Sequence, residues 1–162
     1  MIKFLLHLLF IIFKKKLQLT TLKFSTKTRY GVRAILEIAL NNSENGIYQK
    51  NIAENQGISY KYLDHIITAL KVAGLVTKAS GKKSGYILTR KPSGITIYDI
   101  HNAFEPGICV VDCLSHNYTC KREGICASKG FWGQLNNQII EYLKSTTLQD
   151  LMEEQVKLDD FV

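Results

Sequence analysis

Gln49-Lys50-Asn51-Ile52-Ala53-Glu54-Asn55-Gln56-Gly57-Ile58-Ser59-Tyr60-Lys61-Tyr62-Leu63-Asp64-His65-Ile66-Ile67-Thr68-Ala69-Leu70 reads as two helices joined by a tight turn. In the first, over 49–56, Ile52 and Ala53 point inward. In the second, over 60–73, Leu63, Ile66, Ile67 and Leu70 recur at helical spacing and form one buried stripe. Gly57-Ile58-Ser59 is the turn, and the Ser59 hydroxyl is suited to cap the second helix by accepting from an otherwise unpaired amide. Gly74 stands where a left-handed C-terminal cap belongs.

Downstream, 75–78 and 86–89 have the character of two short strands, joined by a flexible tip that carries Lys82 and Lys83. Upstream, Val32, Ile35, Leu36 and Ala39 fall at i, i+3, i+4 and i+7, which predicts an amphipathic helix over 28–40, followed by a polar loop over 41–46. Two helices with a glycine turn and a two-stranded wing predict a mainly α fold built on a winged helix-turn-helix.

Charge supports that reading. Residues 22–95 carry a net +8, whereas 96–162 carry −5 and 1–21 carry +4, within a chain of +7. The expected phosphate-facing segment is therefore the one that holds the helix pair. Its second helix is expected in the major groove of double-stranded DNA, presenting Ser59, Tyr60, Lys61, Tyr62 and Asp64. Hydroxyl and ammonium groups can donate to bases or phosphates, and Asp64 can accept from a cytosine amino group. Lys50, Lys82 and Lys83 are expected backbone contacts. Paired catalytic acids, a nucleophile with its base and a phosphate loop are all missing from the pattern, so no enzyme is expected.

Thr96-Ile97-Tyr98-Asp99 has the form of a capping box and predicts a helix reaching about Phe104, ended by Pro106 and Gly107. A long helix is expected over 129–143, with Trp132, Leu135, Ile139, Tyr142 and Leu143 on one face, and a last short turn over 148–151 capped by Thr147. The expected organisation is an extension over 1–21, a DNA-binding domain over 22–95, a linking helix and cysteine loop over 96–128, a long helix with its final turn over 129–155, and a tail over 156–162.

All four cysteines lie within 109–126, and three follow the spacing Cys113-x6-Cys120-x5-Cys126. Thiolates are soft ligands, and a polar loop lets three of them converge on one iron–sulfur cluster. The tight C-x2-4-C knuckles usual for structural zinc are missing. A thiol redox switch without a cluster is the alternative. Cys109, in the apolar run Ile108-Cys109-Val110-Val111, reads as a packed core cysteine.

The N-terminal run Phe4–Phe13 is too short to span a bilayer, which takes about 20 residues. It is followed at once by Lys14-Lys15-Lys16, without a small-x-small cleavage site. The preferred expectation is a native start near Leu22, with 1–21 as translated upstream sequence. Without an export signal the chain is expected in the cytoplasm, where clustered thiols serve metals or redox sensing more often than disulfides.

Phe24-Ser25-Thr26-Lys27-Thr28-Arg29-Tyr30-Gly31-Val32-Arg33-Ala34 resembles the opening of bacterial regulators of the IscR, NsrR and CymR superfamily. So do Ile52-Ala53, Gly57-Ile58-Ser59, Tyr62-Leu63, Gly74-Leu75-Val76, Gly85-Tyr86, Ile95-Thr96, Asp99-Ile100, the cysteine loop, Trp132 and Thr147 to Leu151. The resemblance spans roughly 22–155. It implies a homodimer on a partly palindromic operator, with the long helix as the dimerisation helix. It also implies an iron–sulfur cluster, 2Fe–2S or 4Fe–4S, on Cys113, Cys120 and Cys126, because CymR-type members lack these cysteines. In IscR-type proteins a histidine ligand follows the third cysteine by three residues, and Lys129 stands there. In some NsrR-type proteins an aspartate serves, and Arg29 stands there. His116 is the further candidate ligand, ahead of Cys109, Glu123 or a ligand from solvent.

Overall fold

Ser25 starts the first helix by accepting from the Thr28 amide, and α1 runs Thr26–Leu40. The computed structural model describes residues 24–41, 43–81, 84–115 and 118–160. The N-terminal extension, the wing-tip lysines Lys82 and Lys83, and His116 lie outside them.

The helix pair forms as its sequence requires. α2 spans Gln49–Gln56 and α3 spans Tyr60–Val72. Gly57 ends α2 at φ +60°, a left-handed conformation that costs glycine nothing and a side-chain-bearing residue about 1 kcal/mol or more. Ser59 caps α3 by accepting from the Tyr62 amide at 3.3 Å. Gly74 follows α3 at φ +68°, and the Leu75 amide then closes on the Leu70 carbonyl, satisfying one of the helix's last acceptors.

β1 (Val76–Lys78) and β2 (Tyr86–Leu88) pair antiparallel with Val76 opposite Leu88 and Lys78 opposite Tyr86. Tyr86 also exchanges backbone hydrogen bonds with Ile47, so the wing is tied to the residues that lead into α2. Ala34, Ile35 and Ile38 of α1, Ile52 and Ala53 of α2, the α3 stripe, Leu75, Val76, Tyr86, Ile95, Ile100 and Leu148 share one core. Arg33 and Glu37 of α1 clasp Gln56 and Asn55 of α2 across its rim.

A capping box on Thr96 and Asp99 begins α4, Ile97–Asn102. The cysteine segment is coil interrupted by single 3-10 turns at Asp112–Leu114 and Glu123–Ile125. α5 runs Ala127–Ser145, longer at both ends than its apolar face indicates. The final helix differs most from expectation. α6 runs Leu148–Asp159 rather than ending near Leu151, because Gln149–Glu153, Gln155–Asp159 and Lys157–Glu154 contacts continue along its polar side. It folds back onto α1, with Leu148 fully buried and its amide donating to the Ile95 carbonyl.

Among the described residues no helix is long and apolar enough to cross a membrane.

Candidate nucleic-acid interface and cysteine loop

Because the α3 stripe is wholly occupied by the core, the opposite side of its first two turns faces outward. Ser59, Tyr60, Lys61 and Asp64 are exposed there, Tyr60 by 56%. Tyr62 is half-buried and stacks edge-on against Tyr30 of α1, with ring centroids 5.8 Å apart. Its ring therefore braces α3 against α1. Lys50, on the first turn of α2, makes an exposed i,i+4 pair with Glu54 at 3.6 Å, and both side chains remain open to water. A contact this exposed is worth little, so the ammonium is free to exchange it for a phosphate.

Sequence reasoning missed one residue on this face, Gln49. Its amide nitrogen donates to Asp64 Oδ1 at 3.3 Å, and its carbonyl accepts from the Tyr86 hydroxyl at 3.4 Å. Burial raises the Tyr86 phenol above its ordinary value, and the negative charge of Asp64 adds to the effect. No periodicity marks Gln49, since it is the first residue of a short helix and its partners are distant in the chain.

The cysteine loop is pinned where it begins, by two anchors three residues apart. His101, buried on α4, contacts the Gly107 carbonyl through Nε2 at 2.9 Å and lies 3.5 Å from Thr28 Oγ1. Thr28 in turn donates to Glu105 at 2.8 Å. Hydrogen bonds from Ser25, then Thr28, with the charge of His101, hold the Glu105 carboxyl below the usual range. Three residues after Gly107, the Val110 amide donates to Asn136 of α5, one of three buried polar side chains among the described residues. This set of anchors also escaped sequence reasoning, because α4 is too short to show periodicity.

Cys113, Cys120 and Cys126 are half-buried free thiols. Cys126 is the residue that leads into α5, and a 3.2 Å hydrogen bond with Ser128 lowers its pKa, favouring the thiolate. Lys129 pairs with Glu123, which raises the ammonium and lowers the carboxyl, and the charges of Cys113 and Cys120 reach Lys129 as well. The position three residues after Cys126 thus holds a cation paired with Glu123. In chemistry the donor set fits a soft metal centre: three thiols, one of them poised to ionise. In position, no three His, Cys, Asp or Glu side chains converge to hold a metal ion among the described residues.

Cys109 departs from its expected packing. It is exposed at the rim of a cavity of about 520 Å³ between α4 and α5, because its apolar run lies along α5 instead of entering the core. Leu135 and Ile139 of the expected α5 face line the same cavity, and Tyr142 is 70% exposed.

The sequence profile of the Rrf2 family, described as "Iron-dependent Transcriptional regulator", matches residues 24–154. Protein rrf2 of Nitratidesulfovibrio vulgaris is 37% identical over 131 residues, covering 81% of this chain and 87% of the relative. The structure of CymR, the global cysteine regulator of B. subtilis, superposes with a TM-score of 0.67 at 35% identity, covering 83% of this chain and 98% of the other. T. potens IscR superposes with a TM-score of 0.65, also at 35% identity, over 83% and 88%.

Proposed function

The chain belongs to the Rrf2 family, DNA-binding transcriptional regulators and not enzymes, and from that premise we propose that an iron–sulfur cluster on Cys113, Cys120 and Cys126 controls its DNA binding. The observation that carries this reading is the placement of three free thiols on one segment whose start is hydrogen-bonded to both α4 and α5 and whose last thiol, Cys126, leads directly into α5.

Each residue of the site has its own part. The three thiolates would hold the cluster, with His116 as the further candidate ligand. A bound cluster would supply a group that oxygen, nitric oxide or iron shortage can alter or remove. Lys129 would place positive charge beside the anionic thiolates, and Glu123 would hold the Lys129 side chain there. His101 and Gly107 would transmit a change in loop shape to α1, while Val110 and Asn136 would transmit it to α5. The α5 face around Leu135, Ile139 and Tyr142 would pair with a second copy, giving a homodimer on a partly palindromic operator in the cytoplasm. Lys50, Ser59, Tyr60, Lys61, Tyr62, Asp64, Lys82 and Lys83 would contact that operator.

The lowered Cys126 thiol favours one second reading, a cluster-free thiol switch, because a thiolate is the form that oxidants attack. Purification without oxygen, followed by iron and sulfide counts and a visible spectrum, separates the two. The cluster reading expects equimolar iron and sulfide with charge-transfer absorption. Colourless, iron-free protein after reconstitution with iron and sulfide overturns it.

A further inference from the structure

The outward side of α3 carries one carboxylate, Asp64, on a surface otherwise rich in cations and hydroxyls. An acid facing DNA is repelled by phosphate. It contributes only if its oxygen meets a donor on a base edge, and the cytosine amino group is the one in the major groove that an aspartate matches. Such a contact depends on direction, and an aspartate on an exposed helical turn has several rotamers to choose among.

Gln49 restricts that choice. A carboxylate can only accept, so the nitrogen end of the Gln49 amide must face Asp64 and the oxygen end must face the Tyr86 hydroxyl. Tyr86 cannot follow a moving partner. Its ring is buried, its backbone is fixed both to Lys78 across the wing and to Ile47 before α2, and Lys78 Nζ lies 5.9 Å from the ring centroid. The chain of contacts therefore runs from a rigid strand through one amide to a single oxygen of Asp64.

We propose that Gln49 is a specificity-determining positioning residue: held by Tyr86, it binds Asp64 Oδ1 and aims Oδ2 at one base position of the operator. The proposal rests on the reading of Asp64 as a base contact. Gln49 touches no base itself. The wing contributes to sequence preference from its strand, separately from any phosphate contact at its tip.

The test uses the full chain and a randomised double-stranded oligonucleotide pool. Wild-type protein selects a consensus, and duplexes varied at each consensus position are then compared by competition. D64A is expected to lower discrimination at one position of each half-site by about tenfold, the scale of one good base contact. Q49A is expected to lower it at the same position by roughly three- to fivefold, and Y86F by less. Q49A with D64A together should do no more than D64A alone. Q49A leaves the charge unchanged, so its affinity for random DNA should equal that of wild type, which also verifies that the variant is folded. Q49E, which sets two carboxylates against each other, should relax the same position further.

Relaxed preference in D64A with unchanged preference in Q49A and Q49E overturns the positioning role while leaving the Asp64 contact standing. Unchanged preference in D64A overturns both. A loss in Q49A that is equal on all sequences also overturns it, since that marks a general structural role.

Discussion

α3 and α5 are both amphipathic, yet one chain satisfies only the first. The 13 residues of α3 bury Leu63, Ile66, Ile67 and Leu70, whereas the 19 residues of α5 bury only Asn136 and Leu143. The winged domain closes its own core from α1, α2, α3, the wing and the returning α6. The cysteine loop and α5 have no such enclosure, and their apolar side borders a cavity. The difference separates two kinds of element: one closes its apolar side within the chain, and the other leaves an apolar side that the proposed second subunit or cluster would complete.

Three variants break or sharpen that contrast. The largest effect is expected from C113A/C120A/C126A, which should remove iron, sulfide and visible absorption entirely while leaving the thermal unfolding of the winged domain intact. Retained stoichiometric iron would place the cluster elsewhere. Next, L70A should destabilise the fold by about 2–5 kcal/mol, since Leu70 is fully buried in the shared core. L135A, on the open face of α5, should leave monomer stability nearly unchanged and weaken self-association by roughly 1.5–3 kcal/mol. Denaturant melts and sedimentation on the same samples distinguish the two, and equal monomer destabilisation by both would erase the contrast.

A smaller division is expected within the DNA-binding face. K61A should cost about 1–3 kcal/mol on the selected operator and little on random DNA. K83A should weaken both and reduce the salt slope by about 1. Equal losses on specific and random DNA for K61A would refute the division.

The smallest effect concerns pH. Glu105 is a carboxyl whose folded-state pKa is depressed, chiefly by its hydrogen bond from Ser25 and then by Thr28 and His101. A depressed carboxyl contributes stability above its unfolded value, near 4.3, and that contribution is lost as pH falls through the lower folded value. E105Q should therefore lower the unfolding free energy slightly at neutral pH, by under about 1 kcal/mol, and flatten its decline on acidification. An unchanged acid limb would remove Glu105 from the anchor between α1 and the loop.

The winged domain was legible in the sequence because its determinants are local. The α3 stripe, the Ser59 cap, the Thr96 capping box, Gly57 and Gly74 each act within a few residues, and each occurs as read. The remainder depended on distant partners. Cys109 looked like a core residue from its apolar neighbours, but its side chain is exposed at the rim of the cavity beside α5, while its neighbours are half-buried. α6 outlasts its hydrophobic signal because side-chain pairs on its polar side sustain it. Gln49 is tied to Asp64, 15 positions along the chain, and to Tyr86, 37 positions along, contacts that only folding brings together.

The central claim is that the state of the cysteine loop sets DNA binding, and one comparison tests it directly. Full-length protein is prepared without oxygen, with cluster and again after chelation, and titrated against one selected duplex and a panel of its variants at fixed salt. The account predicts that affinity or base preference changes by about tenfold or more between the two forms, the scale of a typical coupling free energy. Identical affinity and identical preference in both forms would contradict it.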